Sequence, residues 1–332
     1  MNVNVGVLRL PGGKCPLLKR LLPLIPHHRI YVEAFGGAAH LLFHKFPAQV
    51  EVLNDVDRNI ITLYRIIKTE PRKLVRWIFL TPYSRQVYRE ACEKLKNDGL
   101  MDFERAYYFL VANAMSFGGY TGSGWGYNKS SERNQVRIWN RLPRRIMRTA
   151  ERLRNVILEC DDFENVMRKY DSPDTFFFCD PPYFQSSLIN KNCRYFSHEF
   201  TRYDHLRLLN LIKELKGKIM ITHYECDLYD EMLMGWRKII IERKVWMAWN
   251  AKKRKRPSHR VRECIYLNYD PKLGKKSYDH LSPILAGKIP GKFRRMICTR
   301  GCFQRGIPPL IECISFLGNW CGGEGCTPRE PR

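Results

Sequence analysis

The chain has 332 residues, 44% of them hydrophobic, and a formal net charge of +24. That length holds one large domain or two modest ones with a sizeable core, and a charge this positive points to an anionic polymer, nucleic acid first, because each neutralised phosphate releases counterions. No apolar run reaches the roughly 18 residues of a membrane span, the N-terminus lacks a signal-peptide pattern, and the 12 cysteines are scattered, so the chain reads as intracellular with reduced thiols rather than a disulfide scaffold.

In chain order, "RIYVEAFGGAAHLLF" (29–43) gives a short strand, a turn at Gly36 and Gly37, and a helix. "VEVLNDVDRNIITLYRIIKTEP" repeats the plan, with acids at Asp55 and Asp57 and an apolar helical face of Ile60, Leu63, Tyr64 and Ile67 that Pro71 ends. Two strand-to-helix units in succession predict a parallel, doubly wound α/β sheet. From Pro71 to Arg148 the pattern turns helical and closes on the loop "GGYTGSGWGYNKSSERNQVR", rich in glycine, aromatic and basic residues. Strand and helix alternation then returns through "TFFFCDPPY" to "KIMITHY", and "AKKRKRPSHRVRECIYLNYDP" suits a final hairpin. Its basic run is either a solvated loop or a phosphate contact.

"CDPPY" (179–183) carries the chemistry. Ligands of open α/β sheets bind beyond the carboxyl ends of strands, which is where Asp180 falls. Pro181 and Pro182 lack N–H groups and fix their own backbone, so the acid is held rigidly and carbonyls are left for an incoming amino group. Tyr183 adds a ring face on which a planar base can stack. By itself such a sequence is also an ordinary tight turn after a buried strand.

"LRLPGGK" (8–14), "EAFGGAAHLLF" (33–43), "EVLNDVD" (51–57) and "CDPPY", in that order, resemble the motifs of Dam-like adenine-specific DNA methyltransferases, over roughly Val5 to Pro271. The resemblance implies a Rossmann-like methyltransferase sheet in two parts, 1–70 and 149–271. Between them, 71–148 forms a helical target-recognition insertion. It also implies S-adenosylmethionine as cofactor and transfer of a methyl group to N6 of an adenine flipped out of double-stranded DNA. By the same likeness the cofactor site comprises Leu10, where some members carry tryptophan, Lys14, Glu33, Phe35, Gly36, Gly37, Asp55 and Asp180. Asp55 is directed at ribose hydroxyls or caps the following helix, a role open equally to Asp57. Asp180, Pro181, Pro182 and Tyr183 form the catalytic turn, and no Pro-Cys nucleophile stands near it, which argues against cytosine C5 chemistry. No metal is required.

Tyr120, Trp125, Arg133 and Arg137 are the candidates for reading or lining the DNA groove, since arginine pairs with guanine and an aromatic fills the gap left by an extruded base. GATC is the default target. Amino-methylation of cytosine N4 or RNA, and DNA binding without catalysis, stay open as alternatives. A monomer in a bacterial or phage-infected cytoplasm, with or without a restriction partner, is the expected setting. Residues 272–332 lie beyond the likeness and read as an unstructured extension. Cys298, Cys302, Cys313, Cys321 and Cys326 there lack the paired spacing of a zinc site.

Overall fold

The structure is a computed structural model, and it describes residues 5–10, 12–119, 124–127, 134–184, 200–246 and 258–271. The seven strands are β1 (Ile30–Glu33), β2 (Val50–Asn54), β3 (Val156–Glu159), β4 (Thr175–Cys179), β5 (Lys218–Tyr224), β6 (Arg237–Trp246) and β7 (Ser258–Leu267). They form one sheet in the order β3-β2-β1-β4-β5-β7-β6. The first five are parallel, while β7 runs antiparallel between β5 and β6.

Eleven α-helices lie among the described residues: α1 (Leu18–Leu21), α2 (His40–His44), α3 (Arg58–Thr69), α4 (Pro71–Leu80), α5 (Arg85–Lys94), α6 (Asp102–Met115), α7 (Gln135–Trp139), α8 (Leu142–Leu153), α9 (Phe163–Lys169), α10 (Arg202–Glu214) and α11 (Asp227–Met232). Pro71 stands at the first position of α4, where its missing N–H costs nothing, so it starts one helix as it ends another.

Side chains alternate across the pleat. Tyr31, Leu53, Phe176, Phe178 and Ile265 point to one face, where buried residues of α3 to α6 and α8 cover them. Val32, Val52, Phe177, Ile219 and Tyr266 point to the other, under α9, α10 and α11. Both faces of the parallel strands are therefore apolar, which explains the unbroken "TFFFC" of β4, buried at every position. The helices between β2 and β3 share this sheet's core: Leu74, Ile78, Leu110, Ile146 and Leu153 are fully buried in the same cluster as Tyr31 and Phe176. Among the described residues, no helix is long and apolar enough to cross a membrane.

Candidate active site

Successive connections run from β1 outward to β2 and β3, whereas β4 pairs on the opposite side of β1. The chain's direction of travel therefore reverses between β1 and β4, and such a switch point opens a crevice at the carboxyl ends of the strands. Gly36 follows β1 and Asp180 follows β4, so the two motifs meet there.

The glycine turn lies close to β2. Gly36 N–H donates to the Asn54 carbonyl at 2.6 Å, and a Cβ on Gly36 would fall 2.8 Å from both that oxygen and Leu53 Cδ1. Gly37 has φ +47°, and Leu10 Cδ1 lies 3.5 Å from where its Cβ would be. Asp55 braces this turn: Oδ2 accepts from Gly37 N–H at 2.7 Å and Oδ1 from Asp57 N–H at 2.8 Å. The helix cap that sequence left open between the two acids is Asp57, whose Oδ1 accepts from Asn59 N–H at 2.8 Å.

Glu33 is buried, and its Oε2 accepts from Tyr31 Oη at 2.8 Å and Leu42 N–H at 3.1 Å. Burial outweighs those two bonds and pushes its carboxyl up to about 8. Phe35 stacks on Phe163 and meets Phe200 edge-on, at ring separations of 5.4 and 5.5 Å.

At the end of β4, Asp180 Oδ1 accepts from Lys14 Nζ at 2.5 Å and from Thr222 Oγ1 at 2.9 Å. Both bonds fall on one oxygen. Desolvation holds this carboxyl above the usual range, against the opposing effects of Lys14 and Thr222. Lys14 is 3% exposed, donates also to the Gly12 carbonyl at 3.0 Å, and lies 3.6 Å from Glu263 Oε1.

Glu263, on β7, is fully buried and holds a second layer together. Its Oε1 accepts from Tyr183 Oη at 2.6 Å and its Oε2 from Arg243 Nε, on β6, at 2.6 Å. Lys14, Asp180, Glu263 and Arg243 thus form a chain of two cations and two anions. The Tyr183 ring lies under Lys14 Nζ at 4.8 Å, and Tyr224 meets it edge-on at 4.5 Å. The turn is pinned once more by Phe184 N–H, which donates to His223 Nε2 at 2.9 Å. Burial pushes His223 down to about 3, so the ring is neutral and Nε2 is free to accept, with Nδ1–H directed at the Tyr224 carbonyl.

Glu263, Arg243, Thr222 and His223 were not among the residues singled out by sequence. Their one sequence signal is polarity inside apolar strands: Thr222, His223 and Glu263 are buried polar groups that need partners.

The groove candidates separate. Arg137 is exposed on α7. Trp125 is packed, stacked on Tyr127 at 5.7 Å, tilted against Tyr83 at 5.7 Å and covered by the Arg85 guanidinium at 5.1 Å. Tyr120 and Arg133 lie outside the described residues, as does the 272–332 extension with its cysteines. Among the described residues, no group of His, Cys, Asp and Glu is arranged to hold a metal.

The mixed sheet with flanking helices, carrying a glycine turn after β1, an acid after β2 and DPPY after β4, defines a Rossmann-like methyltransferase fold. The model of the D12 class N6 adenine-specific DNA methyltransferase family matches residues 11–247, and the chain belongs to that family. It is similar to the type II methyltransferase M.MjaIII of Methanocaldococcus jannaschii, 22% identical over 79% of this chain and 98% of that protein. It is similar also to the DNA adenine methylase of Escherichia coli, 25% identical over 70% and 84%. A DNA N-6-adenine-methyltransferase of Escherichia phage P1 is 27% identical over 66% of this chain but 29% of its own length.

Proposed function

We propose that this adenine-specific methyltransferase takes its methyl group from S-adenosylmethionine and places it on N6 of an adenine swung out of duplex DNA into the cleft beside Asp180. The observation that carries the reading is the one-sided bonding of Asp180. Lys14 and Thr222 both occupy Oδ1, which leaves Oδ2 as the acceptor for a substrate amino group.

The residues present fit the cofactor. Gly36 and Gly37 leave bare backbone where a side chain would collide with β2 or sit over Leu10, so a ligand can approach the main chain. Asp55, held at the end of β2 by bonds from Gly37 and Asp57, is a carboxylate, the group that accepts from vicinal hydroxyls. When bound, the cofactor supplies an electrophilic methyl carbon on a sulfonium centre.

The rest is the work of the chain. Extruding the base costs a few kcal/mol, offset by stacking on Tyr183 and by bonds to its amino group. A ring-conjugated amine is a poor nucleophile. Asp180 Oδ2 and the Pro181 carbonyl, each accepting one N6 hydrogen, favour a tetrahedral nitrogen with its lone pair aimed out of the ring plane. The proline pair donates no N–H and so cannot consume those acceptors. N6 sheds one proton as the new bond forms, and Asp180 Oδ2, already accepting that hydrogen, is placed to receive it. Alignment, rather than a covalent enzyme intermediate, supplies the acceleration.

Duplex DNA incubated with protein and methyl-labelled S-adenosylmethionine, then digested to nucleosides, tests the reading. Label in N6-methyladenine supports it; label in N4-methylcytosine, or none, overturns it.

A further inference from the structure

α7 and α8 join through Asn140 (φ −63°, ψ −15°) and Arg141 (φ −87°, ψ −11°), both right-handed, so the helical turn continues across the junction. Trp139, Leu142, Ile146, Ala150 and Leu153 are the buried side of this segment. Arg137, Arg141, Arg144 and Arg148, spaced i, i+4, i+7 and i+11, fall on the opposite side. The first three are exposed and Arg148 is half-buried.

No member of this stripe has an ion pair or a side-chain hydrogen bond among the described residues, although such pairs are common elsewhere. Arg168 and Arg207 each reach two or more carboxylates. Nor do the helices packed on α8 neutralise it. α3 (RNIITLYRIIKT) and α4 (PRKLVRWIFL), which pack on α8, contain no acidic residue. Burial first, and the Arg144 charge second, hold the Arg148 guanidinium below its usual range. The first acid on α8 is Glu151, exposed one turn beyond Arg148 and in no ion pair with the stripe among the described residues, and Arg152 after it pairs with Glu51 at 2.5 Å.

Its position matters as much as its charge. α8 precedes β3 and descends from the carboxyl ends of the strands, so Arg137, Arg141 and Arg144 lie towards the cleft. Gln135, which opens α7, accepts from Arg9 Nη1 at 3.4 Å, on the segment leading to Lys14.

We propose that Arg137, Arg141, Arg144 and Arg148 form a sequence-independent contact surface for the phosphates of duplex DNA beside the active-site cleft. The proposal rests on the adenine-methyltransferase reading above. At about 1.5 Å per helical residue the stripe spans roughly 16 Å, and a duplex presents about one phosphate per 1.7 Å of axis. Several phosphates are therefore within its reach.

The test is the salt dependence of binding to a short mixed-sequence duplex, with Arg137 left intact. Each lost phosphate contact lowers the slope of log K against log salt by about 0.9. The Arg141→Gln, Arg144→Gln, Arg148→Gln triple variant is expected to lose about 2.7 from the slope. Between about 50 and 200 mM salt the natural protein then loses about 40-fold more affinity than the variant. The triple lysine variant keeps the slope, and each single glutamine variant loses about 0.9, so a triple variant that does not fold leaves three independent readings. Equal slopes in folded glutamine variants overturn the proposal, as does a slope change confined to a single-stranded RNA probe. Natural protein that fails to methylate adenine overturns the enzymatic reading whatever the slopes; methylation with unchanged slopes removes the stripe alone.

Discussion

Lys14 and Asp180, 166 residues apart in the chain, meet at 2.5 Å, and the lysine is closer to that proposed acceptor than to any other acid among the described residues. Lys14 therefore compensates the charge of the acceptor. Asp180 must be ionised to accept from N6, so activity is present above its pKa and lost as pH falls through it. Lys14→Ala removes the largest influence holding that pKa down, and the acid limb of the pH–rate profile is expected to move to higher pH. An unmoved limb contradicts the pairing. A raised KM for S-adenosylmethionine in the same variant is the expected sign of a further role at the cofactor.

Tyr183 donates its hydroxyl to Glu263 and, in the proposed function, offers its ring to the base. Tyr183→Phe keeps the ring and leaves the buried Glu263 short of one donor, an expected stability loss of about 1–3 kcal/mol with most transfer activity retained. Tyr183→Ala removes the stacking face and is expected to raise the KM for DNA about tenfold or more, on a contact of roughly 1–3 kcal/mol. Equal activity losses in the two variants, corrected for folding by thermal melting, contradict this division.

Glu33 gives a stability signature. Its folded pKa of about 8 lies above the ordinary 4.5, so between those values the folded state binds more protons than the unfolded. Stability then falls as pH rises, by at most about 1.4 kcal/mol per unit. Glu33→Gln is expected to flatten that decline, measured as the difference in Tm between the two proteins from about pH 5 to 8. Parallel Tm curves contradict a protonated Glu33.

Gly36→Ala places a methyl group 2.8 Å from the Asn54 carbonyl and Leu53 Cδ1. One side of that clash is backbone, so the turn must shift. A loss of about 1–3 kcal/mol is expected, together with weaker S-adenosylmethionine binding by calorimetry. Natural affinity in the variant removes this turn from the cofactor site.

The parallel sheet, with the glycine turn after β1 and the DPPY turn after β4, was legible in the sequence because it rests on local signals: unbroken apolar strands, with paired glycines and prolines at strand ends. What Lys14 faces was not, since the lysine of "GGK" says nothing about a partner 166 residues away. Glu263 was hidden for a related reason. In "RVRECIYL" it reads as the polar side of a hairpin, and only the order β4-β5-β7-β6 carries it under Tyr183 and Lys14. The packing of Trp125 was equally out of reach of a local reading: half-buried in a glycine-rich loop, it meets Tyr83, Tyr127 and Arg85.

The central claim is that Asp180 grips the adenine amino group, and methyl transfer by Asp180→Ala measures it most directly. Duplex DNA retention should persist while transfer from S-adenosylmethionine falls at least about 10²–10³-fold, the usual consequence of removing a preorganised transition-state contact. Transfer at the natural rate by a folded Asp180→Ala protein contradicts the account.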